Sequence, residues 1–193
     1  MRKGSGVRLR EYVGAVGLLG MMGCAHYVHP TPTRSAYVMQ GKNAGAANIV
    51  ISDTDLAKTS SAHFGLLGFL FPVTVRWGKV VPEYLQECTR KVFREVAVNG
   101  SGKFDAVFDV RITAAELSAL TGKANVALFV DGKLADGRSL VNGEYTGAGM
   151  GHFPIYQEPA TVEQWLQVER TTDQALMIVC NKLVNDVQSR IDQ

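Results

Sequence analysis

The sequence predicts an α+β domain, in which an antiparallel sheet of about five strands carries two helices packed on one face. Two observations lead to this fold class. Two successive runs, over residues 104–113 and 123–131, alternate apolar and polar side chains with the period of two that half-buried strands require, and turn residues then lead into a third strand. Two longer runs, from Pro82 and from about Thr161, repeat apolar residues every three or four positions, which is the spacing of an amphipathic helix.

The domain is expected to begin with two short β-prone runs, over residues 36–40 and 48–52. Residues 53–55 follow, with the sequence Asp-Thr-Asp, and are favoured in turns and helix caps. Ala57 and Thr59 stand where a Ca²⁺-binding loop would place further ligands of the EF-hand pattern. A turn is therefore preferred here over a metal site.

Residues 64–71, FGLLGFLF, carry no polar side chain. The segment is too short to span a bilayer, which takes ~20 apolar residues. Its two glycines disfavour a helix. It is either a buried strand or loop lining, or an exposed loop that contacts lipid or a partner protein. As an interaction loop it would use the side chains of Phe64, Leu66, Leu67, Phe69, Leu70 and Phe71.

The first helix is predicted to begin at Pro82 and to end at Asn99-Gly100, because proline is favoured in the first helical turn and Asn-Gly commonly ends a helix. The second helix is predicted over residues 161–191. Cys88 lies on the apolar face of the first helix and Cys180 on that of the second. The apolar face of the first helix would consist of Val81, Tyr84, Leu85, Cys88, Val92, Phe93 and Val96.

Three strands are predicted between the helices, over residues 104–113, 123–131 and 138–146, as an antiparallel meander. Asp-Gly pairs bracket the turn between the last two. The glycine-rich residues 143–151, GEYTGAGMG, invite comparison with nucleotide-binding loops, but no helix is predicted to start there and no Lys-Ser/Thr ends the run. They are expected to form a flexible strand end or a lid.

The start of the chain has the layout of an export signal. A basic segment contains Arg2, Lys3, Arg8 and Arg10, and residues 12–22 form a charge-free, mostly apolar stretch that is too short to span a bilayer. Met21-Met22-Gly23-Cys24 closes it. This ending resembles the lipobox of bacterial lipoproteins, in which a small residue precedes a cysteine that is acylated and becomes the mature N-terminus.

The resemblance implies a lipoprotein signal peptide over residues 1–23, a lipid anchor on Cys24, a flexible tether over residues 24–35 and a single domain over residues 36–193. Ala25 is not acidic, which in enteric bacteria implies transfer to the periplasmic face of the outer membrane. Met21 departs from the usual leucine of the motif. Two alternatives therefore stay open, namely cleavage after Ala25 by the ordinary signal peptidase and an uncleaved segment with an unmodified thiol.

The charge balance argues against nucleic acid as a partner. Without residues 1–23 the chain has 16 basic and 17 acidic residues, so no basic surplus remains to neutralise phosphates. The cysteine count is even once Cys24 is set aside. In an oxidising compartment Cys88 and Cys180 either form a disulfide or remain buried thiols, and the sequence does not decide between these.

The sequence contains no recognisable catalytic constellation or metal site, so no enzyme activity and no cofactor are expected. His26 and His29 form a lone pair in the predicted tether, which lacks the third and fourth ligands of a metal site. Only His63 and His152 lie within the predicted domain, and no G-x-S-x-G nucleophile motif is present. An activity based on His152 is retained only as an alternative hypothesis.

In its order of elements behind a lipobox, the chain resembles the small α+β lipoproteins of Gram-negative envelopes. These include the auxiliary lipoproteins of ABC-type lipid transporters and the lipoproteins with a domain like the N-terminal domain of TolB. The resemblance implies a non-catalytic, membrane-anchored scaffold or accessory component that contacts envelope proteins. The alternative is a periplasmic protein that binds a lipid or another apolar ligand.

Overall fold

The structure is a computed structural model and describes residues 26–32, 44–63, 72–151 and 162–192. It confirms the predicted α+β class. The elements are β1 (His26–Val28), β2 (Ala44–Ile51), α1 (Asp53–Leu56), β3 (Ser60–Ala62), β4 (Val73–Val75), α2 (Trp77–Thr89), β5 (Phe93–Val98), β6 (Ala106–Ser118), β7 (Lys123–Leu134), β8 (Ser139–Met150) and α3 (Val162–Ile191).

The main sheet has five strands in the order β5-β2-β6-β7-β8. The meander β6-β7-β8 is antiparallel as predicted, but β2 pairs parallel with both β5 and β6. The sheet is therefore mixed, and the prediction of an all-antiparallel sheet is wrong. Parallel pairing joins strands that are distant in the chain, so it leaves no hairpin turn for sequence reasoning to detect.

The first predicted helix differs most from the structure. α2 begins at Trp77, so Pro82 lies inside it, and it ends at Thr89. The residues expected to continue its apolar face from Phe93 onward form β5, which pairs with β2. Asn99 follows the end of a strand and does not end a helix. Its side chain accepts a hydrogen bond from the backbone N–H of Ile51 and donates one to the backbone carbonyl of the same residue. Its φ of 48° is a left-handed conformation that asparagine tolerates.

The predicted flexible tether over residues 24–35 contains β1, which pairs parallel with β4. β4 also pairs antiparallel with β3, which completes a second sheet of three strands. The expectation of an unstructured tether is therefore wrong for residues 26–32. The predicted first run of the domain, residues 36–40, lies outside the described residues.

The core lies between one face of the main sheet and the helices α2 and α3. Its largest fully buried side chains include Trp77, Tyr84, Phe93, Ile49 and Leu85. β8 extends through the glycine-rich residues to Met150, so the prediction of a flexible strand end or lid is wrong for residues 143–151. A Cβ atom at Gly147 or Gly149 would overlap backbone carbonyl oxygens of α3, so these glycines permit close packing of the helix on the strand.

Candidate functional site

The face of the main sheet opposite the helices carries the polar set of alternating residues. Asp109 and Arg111 project from β6, Phe129 and Asp131 from β7, and Asn142 from β8. They line a concavity of about 550 Å³, together with residues of β2 and the start of α1. We call this surface the open face; its full lining is Val50, Ser52, Asp109, Val110, Arg111, Phe129, Asp131 and Asn142.

Charged groups on the open face are held in place by their neighbours. The Arg111 guanidinium lies 4.6 Å from the centre of the half-buried Phe129 ring, which is a cation–π arrangement. Asp131 accepts hydrogen bonds from Lys133 at 2.7 Å and from Asn142 at 3.1 Å. The bond from Lys133, and then that from Asn142, keeps the pKa of Asp131 below its ordinary value. Such a surface can bind by ion pairing, hydrogen bonding and aromatic contact.

The alternating pattern of residues 104–113 predicts that Asp109 and Arg111 lie on the solvent side of a strand, but it cannot predict which residues of other strands lie beside them. Asp109 lies directly opposite Asp131 in the register of β6 and β7, and Asp131 lies opposite Asn142. These neighbours depend on strand register, which here shifts at irregularities in both pairings. The alternation within each strand was visible in the sequence, whereas the juxtaposition across strands was not.

The two cysteines of the domain are joined in the structure by a disulfide between α2 and α3. The Cα atoms of Cys88 and Cys180 are 5.8 Å apart, which is within the ordinary range for such a bond. Both residues are buried in the core, with exposed fractions of 4% and 1%. The bond connects positions 92 residues apart in sequence and fastens the two core helices to each other.

Two tyrosines attach α3 to its neighbours by hydrogen bonds. The Tyr84 hydroxyl of α2 donates to Asp173 at 2.5 Å, and the Tyr145 hydroxyl of β8 donates to Asp186 at 3.0 Å. Burial, and after it the hydrogen-bonded carboxylate, raises the pKa of each tyrosine well above its ordinary value of 10. Each pair satisfies a buried hydroxyl while its apolar ring packs in the core.

Asp55, expected only in a turn, is a buried carboxylate that links α1 to β6. It accepts hydrogen bonds from Ser52 at 2.8 Å, from Lys58 at 2.8 Å and from the backbone N–H of Ile112 at 3.2 Å. Lys58 also donates to the carbonyl of Ile112. Burial acts to raise the pKa of Asp55, but the hydrogen bonds from Lys58, Ser52 and Ile112 outweigh it and lower the pKa. The cluster satisfies the backbone of β6 beyond the end of β2.

The histidines do not converge on one site within the described residues. His29 pairs with Glu83 of α2 at 2.9 Å, and His63 follows the end of β3. His152 lies outside the described residues. In the part of the chain that the structure describes, no three His, Cys, Asp or Glu side chains are grouped so that they could hold a metal ion.

The predicted lipidation site Cys24 lies outside the described residues. So do the six apolar residues of the predicted interaction loop, namely Phe64, Leu66, Leu67, Phe69, Leu70 and Phe71. Their surroundings are described. β1 begins at His26, two positions after Cys24, and the antiparallel strands β3 and β4 flank the apolar segment. Among the described helices, none is both long and apolar enough to cross a membrane.

Comparison with known proteins yields structural matches alone. No family model matches the chain, and no curated protein matches its sequence. A crystal structure of a DUF330-family protein from Xanthomonas campestris superimposes with a TM-score of 0.54 at 13% identity, covering 88% of this chain and all of that one (100%). The chain shares a fold with that protein. At this identity the match carries no information about activity.

Two further solved structures are similar at lower scores. One is an uncharacterised protein, with a TM-score of 0.48 at 9% identity, covering 86% of this chain and 99% of that one. The other is from Caulobacter crescentus and is described as a candidate lipoprotein, with a TM-score of 0.33 at 10% identity, covering 57% of this chain and 83% of that one. Both scores are too low to support an argument about this chain.

Proposed function

We propose that this chain is an exported lipoprotein, anchored through Cys24, that acts without covalent chemistry as a scaffold or accessory component of a cell-envelope assembly or transport system. The lipobox-like sequence Met21-Met22-Gly23-Cys24 supports the anchor. Ala25 supports delivery to the periplasmic face of the outer membrane. The open face, with its ion pairs and its half-buried aromatic ring, is the proposed contact surface for an envelope protein.

The disulfide between Cys88 and Cys180 is the observation that carries the proposal of export. Disulfides persist in oxidising compartments such as the periplasm and are rare in the reducing cytosol. The bond lies in the core, so it acts on the stability of the fold and is not positioned as an exposed redox group. It is independent of the N-terminal signal, and both observations favour the same compartment.

The concavities among the described residues bear on the choice between binding a protein and binding an apolar ligand. All three are open to solvent; two of them expose mostly polar surface, whereas the largest, that of the open face, combines charged and amide groups with a larger apolar area around Phe129. Lipid-binding sites are, by contrast, concave and mostly apolar. We prefer the scaffold role to the alternative of a periplasmic lipid-binding protein because the charged and amide groups of the open face suit contact with a protein surface.

Intact-mass measurement of the protein purified from membranes of a bacterial host tests the anchor. We expect a mature chain beginning at Cys24 with the added mass of a diacylglycerol group, and loss of that mass in Cys24→Ala. Cys88→Ala is the second cysteine variant; it opens the core disulfide but leaves Cys24 in place, so it should keep the lipid. An unmodified chain beginning at His26 would refute the anchor and identify a released periplasmic protein.

The role of the open face is tested by crosslinking in intact cells followed by mass spectrometry. Arg111→Glu reverses a charge at the centre of this face and should abolish crosslinks that wild type forms there. Lys182→Glu, on the helix side of the domain, is the matched charge reversal and should retain them. Equal crosslinking by both variants would exclude the open face as the contact surface.

A further inference from the structure

Four large apolar side chains are strongly exposed among the described residues. The exposed fractions are 54% for Tyr27, 84% for Leu120, 68% for Met150 and 45% for Leu166. A single exposed apolar residue is ordinary on a soluble protein, so exposure alone implies nothing. What matters for the orientation of the domain is where these residues lie relative to one another and to Cys24.

Leu120 and Met150 lie at the same end of the main sheet. Leu120 is in the turn between β6 and β7, and Met150 is the last residue of β8. The backbone N–H of Gly151 donates to the carbonyl of Gly122 at 2.7 Å, which joins the end of β8 to that turn. The tip of this hairpin and the end of β8 therefore form one continuous surface.

Leu166 extends from the same end on the helix layer. α3 packs against β8, and the backbone carbonyl of Thr171 lies against Gly149 near the end of that strand. Leu166 precedes Thr171 by five positions, which corresponds to about 7.5 Å along the helix axis toward its start. The first turns of α3 therefore lie beside Met150 and the β6–β7 turn.

The proposed anchor cannot be far from these residues. Pro30 and Thr31 line a concavity of about 320 Å³ together with Leu166 and Arg170. Six positions separate Pro30 from Cys24, and a chain of that length reaches at most about 21 Å when fully extended. The twelve-residue β7 alone spans about 40 Å, so the hairpin at its other end, around Asp136, lies much farther away.

We propose that the end of the domain that carries Leu120, Met150 and Leu166 lies against the lipid surface to which Cys24 is anchored. This inference rests on the proposed lipid anchor. Because β1 starts two positions after Cys24, the attachment would hold the domain close to the membrane and so favour contact through its exposed apolar end. The exposed apolar side chains then enter the interfacial region, where burial of apolar area stabilises contact.

Tryptophan reporters in vesicles with brominated acyl chains test this orientation. Leu120→Trp reports the proposed membrane end, and Asp136→Trp, at the opposite hairpin, is the matched control. Each protein is purified from bacterial membranes and reconstituted in phosphatidylethanolamine–phosphatidylglycerol vesicles, and the emission of the wild type, with its two tryptophans, is subtracted. We expect the added emission at position 120 to shift to shorter wavelength and to lose most of its intensity to bromine, with no loss at position 136.

The outcomes separate the two proposals. If the protein is acylated but its added tryptophan at position 120 is quenched no more than that at position 136, the proposed orientation is wrong and the proposed anchor is retained. Protein that carries no lipid by intact mass would overturn the anchor and the orientation together. Met150→Trp provides a second reporter on a strand, and it should be quenched like Leu120→Trp.

Discussion

Removal of the disulfide should cost much of the stability of the fold. Replacing Cys88 and Cys180 by alanine opens a cross-link between positions 92 residues apart. The loop-entropy relation assigns a loop of this length about 4.6 kcal/mol at 25 °C through restriction of the unfolded chain. For a domain of this size, each kcal/mol corresponds to roughly 2–4 °C in Tm, so we expect the double variant to melt about 10–15 °C lower.

Urea unfolding of the purified protein, followed by far-UV circular dichroism, measures this effect directly. Wild type is compared with the double variant in the absence and presence of dithiothreitol. The reductant should move the wild-type midpoint toward that of the variant and leave the variant itself unchanged. The prediction is refuted if full reduction leaves the urea midpoint of the wild type unchanged, or if the variant is as stable as the oxidised wild type. Either result would mean that the two cysteines are not bonded or that their bond does not stabilise the fold.

Three further predictions concern packing and protonation. Gly147→Ala should lower the free energy of unfolding by about 1–3 kcal/mol, because the added Cβ overlaps a backbone carbonyl of α3. Gly143→Ala, whose Cβ would meet open space, should leave this free energy unchanged, and urea unfolding of both variants measures the difference. Asp55→Asn should cost about 2 kcal/mol at pH 7 through weakened hydrogen bonds in a buried cluster. The lowered pKa of Asp55 means that its contribution is present above the ordinary pKa of 3.8 and lost as the pH falls below it, so the difference from wild type should shrink at pH 3. Tyr84 and Tyr145 have raised pKa values, so they stabilise the fold below pH 10 and cease to do so as the pH rises further. Absorbance titration of the mature chain from Cys24 should show two of its five tyrosines ionising only with unfolding.

The parts of the fold that the sequence predicted are those with long local patterns. Buried and more exposed side chains alternate along most of β7 and along β6 as far as Thr113, and the α3 pattern extends over 30 residues. Short runs were ambiguous. Val92, Phe93 and Val96 fit one face of a helix and also a short strand, and pairing with β2, which precedes them by some forty residues, decides the outcome.

The candidate site was only partly accessible to the same reasoning. The sequence identified Cys88 and Cys180 as the residues that could form a disulfide, but the distance between their Cα atoms depends on how α2 packs on α3. Tyr27 and its neighbours gave no strand signal, because three residues are too few for a period to appear. β1 exists through its pairing with β4, which is a tertiary contact.

The position of β2 constrains the order in which an exported chain can fold. β2 lies between β5 and β6, and both of these strands follow it in the sequence. Export delivers β2 before either neighbour, so β2 cannot be paired on both sides until Val98 of β5 and Val110 of β6 have emerged. Cys180, near the C-terminus, arrives later still. Because the proposed anchor residue Cys24 precedes all of these strands, it is available for acylation before the sheet can close.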